Sequence, residues 1–113
     1  MQLSIPYGSL QWTSLVSLYA RYLEYLKKDS IYKDEISYQI VNQLDYDFTE
    51  IKNQIDLIKQ LTIVIRQVNF EREIKNFIKS FPNTTIIDIG SGFDTLFYRV
   101  DNIARFICIE IFD

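Results

Sequence analysis

The strongest constraint on this chain is a change of period at Phe81-Pro82-Asn83. Upstream, apolar residues recur at helical spacing. Downstream, "TTIIDI" (residues 84–89) is a run of strand length, β-branched except at Asp88. Proline lacks an N–H and disfavours helical backbone in the residue before it, so a helix has to stop there. The run then meets Gly90-Ser91-Gly92, Asp94-Thr95 opens a short helical pattern over about 94–99, and "RFICIEI" (residues 105–111) reads as a second strand. Strand, glycine loop, helix, strand is a βαβ unit, and strands of that kind are expected to be parallel and buried. The expected class is α/β: a helical part over 1–82, followed over 83–113 by the first βαβ unit of a Rossmann-like domain.

The helical part reads as three or four helices. Residues 1 to about 12 look like an irregular arm broken by Pro6 and Gly8. Thr13 or Ser14 is a candidate cap for a helix to about Lys28, with Leu15, Leu18, Tyr19, Tyr22 and Leu26 on one stripe. A second helix fits Lys33 to Leu44, burying Ile36, Ile40 and Leu44, and Thr49 in "DYDFT" is a candidate cap for the next helix. Residues 50–80 stay helical in pattern through Ile51, Ile55, Ile58, Ile65, Val68, Phe70, Ile74, Phe77 and Ile78. That is long for one globular helix, and "LTIVI" is β-branched, so a break is expected within 61–69.

Composition removes several function classes. The 113 residues carry a net charge of −3, which argues against a general nucleic-acid binder. There is no histidine, so Ser-His-Asp and Cys-His catalysis are excluded, and one cysteine leaves no soft-metal site. Cys108, inside "FICIEI", is expected as a small buried core residue in a reducing compartment. No apolar run approaches the roughly 18 residues of a membrane span, and the N-terminus has no signal-peptide pattern. The expected location is the cytoplasm, with neither nucleic acid nor membrane as partner.

Gly-x-Gly after a strand lets a backbone approach a ligand where a Cβ would clash. The third small residue of the dinucleotide fingerprint is absent, since Thr95 stands there, and Asp94 occupies the helix start that a pyrophosphate would need. Both features turn the loop toward a cofactor without phosphates, S-adenosyl-L-methionine being the obvious one. Its ribose needs an acidic acceptor near the end of the second strand, where Glu110 and Asp113 lie. Solvated terminal carboxylates are the plain alternative for that pair.

"IRQVNFEREIKNFIKSFPNTTIIDIGSGFDTLFYRVDN", with "TSLVSLYARYLEY", "IYKDE" and "DYDF" upstream, resembles the leucine carboxyl methyltransferase family and its bacterial polyketide-type O-methyltransferase branch. The resemblance implies a helical lid before a methyltransferase domain that transfers a methyl group to an oxygen. The acceptor would be a small molecule or a protein C-terminal carboxylate. It implies that Arg66 holds the carboxylate of the cofactor's methionine part. Gly90, Ser91 and Gly92 would pass beneath the cofactor, with Asp88 closing the first strand and Glu110 or Asp113 on the ribose. Asp94 and Thr95 would brace the loop, and Arg99 and Asp101 would have structural roles.

The chain departs from the family pattern at Leu96, where an arginine is usual, and after "VDN". Family members continue for more than another hundred residues. The chain is therefore expected to be a truncated N-terminal portion, binding the cofactor weakly and transferring no methyl group by itself. A non-catalytic module that self-associates through an open sheet edge is the alternative, and a dinucleotide-dependent oxidoreductase a distant third.

Overall fold

Why the helical part folds around its first helix is visible in the residues that helix buries. The computed structural model describes residues 10–109. α1 (Leu10–Leu26) packs against α2 (Glu35–Gln43), α3 (Thr49–Gln54) and α4 (Leu57–Ser80). Its Trp12, Leu15, Val16, Leu18 and Tyr19 join Val41 and Ile51 in one buried cluster, and the Tyr19 and Phe48 rings stack at 4.9 Å. Each fully buried leucine contributes about 1.5–3 kcal/mol relative to exposure.

The helix is already formed at Leu10, so Thr13 and Ser14 are interior positions rather than caps. Its stripe stops short of Leu26, which is 54% exposed where the helix ends. A polar pin accompanies the apolar packing. Buried Glu24 accepts from the Ile31 N–H at 2.9 Å, Lys27 Nζ at 3.1 Å and Gln60 Nε2 of α4 at 3.2 Å.

α2 begins at an N-cap, Asp34, whose Oδ1 accepts from the Ser37 N–H at 3.2 Å. Thr49 is the first residue of α3, and Phe48 takes the cap position expected for it. The expected break between 61 and 69 is absent, because α4 runs unbroken from Leu57 to Ser80. The interruption falls instead at Ile55-Asp56, where Asp56 turns extended and caps α4 by accepting from the Lys59 N–H at 2.7 Å. A cap is worth about 1 kcal/mol. The β-branched residues of "LTIVI" each lose only a few tenths in a helix, and burial of Val64 offsets that. The buried line of α4 is Gln60, Val64, Glu71 and Ile78, while Ile58, Ile65, Phe70 and Phe77 are exposed. Two of the buried positions are polar, and each has a partner outside the helix.

β1 (Thr85–Ile89) and β2 (Arg105–Ile109) pair in parallel, with Ile87 opposite Ile107 and Asp88 opposite Cys108. They are joined through the glycine turn and α5 (Phe97–Val100), which starts later than the expected 94 because Asp94 first closes a turn onto the Ser91 carbonyl. A second core holds Ile78 of α4, Leu96, Val100 and Phe106, with Ile74 and Ile86 against it. The expectation of strands buried on both faces is corrected. Ile87 and Ile89 are 54% and 68% exposed, and Ile109 is exposed with them. Among the described residues the helices cover one face of the sheet. Cys108 is exposed rather than a core residue, although it lies on the same face as buried Phe106, because the helical cover stops short of the end of β2. The mixed helical and parallel-strand architecture places the chain in the α/β class. Among the described residues no helix is long and apolar enough to cross a membrane.

Candidate functional site

The glycine turn sits at the C-terminal end of the two parallel strands, the edge at which α/β sheets present ligand sites. Gly90 and Gly92 have φ of 66° and 51°, the left-handed region that a Cβ makes costly by about 1–2 kcal/mol. The Gly90 and Ser91 N–H groups both donate to the Ile109 carbonyl, at 2.6 and 3.2 Å, drawing the turn over the end of β2. The Asp94 N–H donates to the Ser91 carbonyl at 2.8 Å, and the Leu96 N–H to Asp94 Oδ1 at 3.0 Å. These four amides are therefore engaged within the protein and offer no cradle to a phosphate.

The turn is clamped to the helical layer by a buried ionic network. Arg21 Nη2 of α1 donates to the Phe93 carbonyl at 2.6 Å, and Gln67 Nε2 of α4 lies 3.4 Å from Asp94 Oδ1. Arg21 also donates through Nε to Ser37 Oγ at 2.9 Å, with Asp34 Oδ2 at 3.4 Å. Asp34 is the hub. Its Oδ2 accepts from Ser37 Oγ at 2.6 Å and from Thr95 Oγ1, and Arg99 Nη1 lies 3.5 Å from its Oδ1. Arg99 in turn donates to Thr95 Oγ1 at 2.9 Å and to Glu71 of α4, with its guanidinium 5.2 Å from the Tyr32 ring.

Burial by itself would raise the Asp34 pKa. The hydrogen bonds from Ser37 and Thr95 and the charge of Arg99 outweigh it and hold the carboxyl below its usual range. Burial would likewise weaken Arg99 as a base, but Glu71 keeps its guanidinium above the ordinary value. Residues from α1, the α1–α2 connection, α4 and the βαβ unit thus meet in one charged seam.

Two neighbouring cavities open beside this seam. The larger, about 590 Å³, lies between α1 (Trp12, Val16) and α4 (Ile63, Arg66). The smaller, about 240 Å³, reaches Arg21, Gly90, Ser91 and Phe93. They share Thr13, Ser17, Gln67 and Asp94 as lining residues.

The expected site residues distribute unevenly. Arg66 lines the larger cavity and makes no ion pair or hydrogen bond among the described residues; Gly90 and Ser91 line the smaller one. Asp88 is half-buried within β1, and neither it nor Gly92 lines either cavity. Glu110 and Asp113 lie outside the described residues. Asp94 and Thr95 hydrogen-bond within and across the loop, Arg99 donates to Thr95, and exposed Asp101 is the C-cap of α5, its N–H on the Phe97 carbonyl. Sequence reasoning misses Asp34, Glu71 and Gln67. Asp-x-x-Ser is a signal that marks Asp34 as a helix cap, but its pairing across 61 positions with Thr95 exists only in three dimensions.

Among the described residues no group of three or more His, Cys, Asp or Glu is placed to hold a metal ion. Comparison of the chain with family models, curated proteins and solved structures returned no match.

Proposed function

We propose that this chain binds S-adenosyl-L-methionine and belongs to a methyl-transfer system acting on an oxygen nucleophile. The observation that carries the reading is the pair of adjoining cavities, with the exposed Arg66 guanidinium, unpaired among the described residues, on one and the Gly90-Ser91 turn on the other. A guanidinium fork suits a ligand carboxylate bidentately. The larger cavity is within the ~300–1,000 Å³ range of small-molecule sites. The engaged amides of the turn favour a ligand without phosphates.

When bound, this cofactor supplies an electrophilic methyl group on its sulfonium. The chain's own residues would bind and orient. Arg66 would hold the methionine carboxylate, the Gly90–Gly92 turn would let the ligand approach closely, and Glu110 or Asp113 would receive the ribose hydroxyls. Catalysis would then rest on alignment, which needs no histidine. The acceptor would be a small-molecule hydroxyl or carboxylate, or a protein C-terminal carboxylate, in the cytoplasm.

Calorimetric titration with S-adenosyl-L-methionine tests the reading. Binding is expected, and Arg66→Gln should weaken it by about tenfold or more, the scale of one charge-assisted hydrogen bond. No heat up to millimolar ligand would reject it. Tight binding of NADH, followed by fluorescence, would favour a dinucleotide instead.

A second reading concerns the sheet. Ile87, Ile89 and Ile109 form an uncovered apolar face, and both strands are edges among the described residues. Such edges pair readily, and the proposed occupant is a second copy of this chain. Light scattering is expected to give a mass above the 13.5 kDa of one chain, with an Ile87→Lys/Ile89→Lys variant returning to it. A wild-type monomer would dismiss this reading.

A further inference from the structure

The larger cavity carries a second cation that the cofactor reading leaves unused. Lys59 and Arg66 both line it from α4, two helical turns apart, about 10 Å along the axis at 1.5 Å per residue. Between them Ile63 lies on the same wall, and Trp12 and Val16 of α1 form the wall opposite. Phe70, one turn beyond Arg66, adds an aromatic ring that is 59% exposed at the cavity. Among the described residues Lys59 makes no ion pair, and its ammonium stands in the first turn of α4. A lysine is electrostatically misplaced there, because the positive end of the helix dipole already favours an anion. The neighbouring acid, Asp56, has its Oδ1 engaged as the helix cap by the Lys59 N–H.

A trough with an apolar wall of Trp12, Val16, Ile63 and Phe70, polar lining that includes Asp94 and Arg66, and at one end Lys59, which makes no ion pair among the described residues, suits an amphipathic anion. Neither a neutral apolar molecule nor a free inorganic anion would use both features. We propose that the α1–α4 cavity binds an apolar carboxylate. Its hydrocarbon or aromatic body would lie against Trp12, Val16 and Ile63, and its charge would rest on Lys59, separate from the anion site at Arg66. The carboxylate on Lys59 is a recognition handle, held by charge about two turns from the group on Arg66. The site does not depend on the identity of the cofactor, and Lys59 and Arg66 are separable by mutation.

The test uses 2-naphthoate and decanoate as probes, with 2-naphthalenemethanol as the neutral isostere, titrated into the full chain by calorimetry or by chemical-shift perturbation. At least one carboxylate is expected to bind more tightly than the alcohol. Lys59→Gln should weaken that carboxylate by about tenfold, the low end of a charge-assisted hydrogen bond, and leave the alcohol unchanged. Arg66→Gln should weaken S-adenosyl-L-methionine more than the carboxylate. Because Lys59 is exposed, its replacement is not expected to disturb folding, which circular dichroism verifies. Equal binding of alcohol and carboxylate, binding of neither carboxylate, or indifference to Lys59→Gln would overturn the proposal. If the carboxylate binds while S-adenosyl-L-methionine does not, the cofactor reading falls and this one stands.

Discussion

Replacing Asp34 with alanine is expected to destabilise the chain by about 3–5 kcal/mol and to lower its melting temperature by roughly 15 °C or more. The side chain is 1% exposed and sits between two guanidinium groups, Arg21 at 3.4 Å and Arg99 at 3.5 Å. Removing it leaves those cations facing each other across a buried seam. It also strips the acceptor from the Ser37 and Thr95 hydroxyls. A buried ion pair adds little net stability when intact, because desolvation nearly cancels attraction. The loss on breaking it is large for the same reason, since the remaining charges keep the cost of burial without the compensation. Asp34→Asn keeps an acceptor for the hydroxyls and should fall between wild type and alanine. Urea denaturation of the three proteins measures this, and a loss below about 1 kcal/mol for the alanine variant would show that the seam opens to water.

Acid is expected to unfold the chain through the same kind of group. Burial pushes the Glu24 pKa up, but the hydrogen bonds from Ile31, Lys27 and Gln60 outweigh it and leave the value below normal, as with Asp34. For a carboxyl depressed in the folded state, the stabilisation is complete above the unfolded value, about 3.9 for aspartate and 4.3 for glutamate. It disappears as pH falls through the lower folded value. Stability contributed by Glu24 and Asp34 should therefore be level from neutral pH to about pH 5.5, then decline steeply below about pH 4. The Glu24→Gln/Asp34→Asn double variant should start less stable and lose less on acidification. Urea midpoints across this range decide the matter. Equal acid slopes for variant and wild type would assign the acid sensitivity to other carboxylates.

These two acids mark where sequence reading reaches its limit. Apolar spacing correctly places Leu15, Leu18 and Tyr19 in the core, because a helical stripe is a local property of the chain. On α4 the same logic chooses Ile58, Ile65 and Phe70, which are exposed, and passes over Gln60 and Glu71, which are buried. Those two are inside because Glu24 and Arg99 supply their hydrogen bonds from other elements. Periodicity carries no information about such partners. The helix break is misplaced for a related reason: residue propensities in "LTIVI" are weak, and a single capping carboxylate, Asp56, outweighs them.

At the candidate site the division is similar. Gly90 and Gly92 announce a turn after a strand, which depends on backbone geometry within a few residues. The bracing role of Asp94 and Thr95 is instead implied only by the family resemblance, and Thr95 makes its brace with Asp34, 61 positions away. That Arg66 shares a cavity with Trp12 and Asp94, and that this cavity adjoins the turn, depends on α4 packing against α1.

By itself the sequence determined the order of helices and strands, the turn chemistry and the α/β class. Hydrophobic period, proline and glycine act through local backbone sterics, which no distant residue alters. Tertiary structure alone decided which polar side chains are buried, which sheet face stays open, and where the lysine and arginine charges of one helix meet the apolar wall of another. Those outcomes depend on desolvation and pairing between groups far apart in the chain, and such energies exist only once the elements have docked.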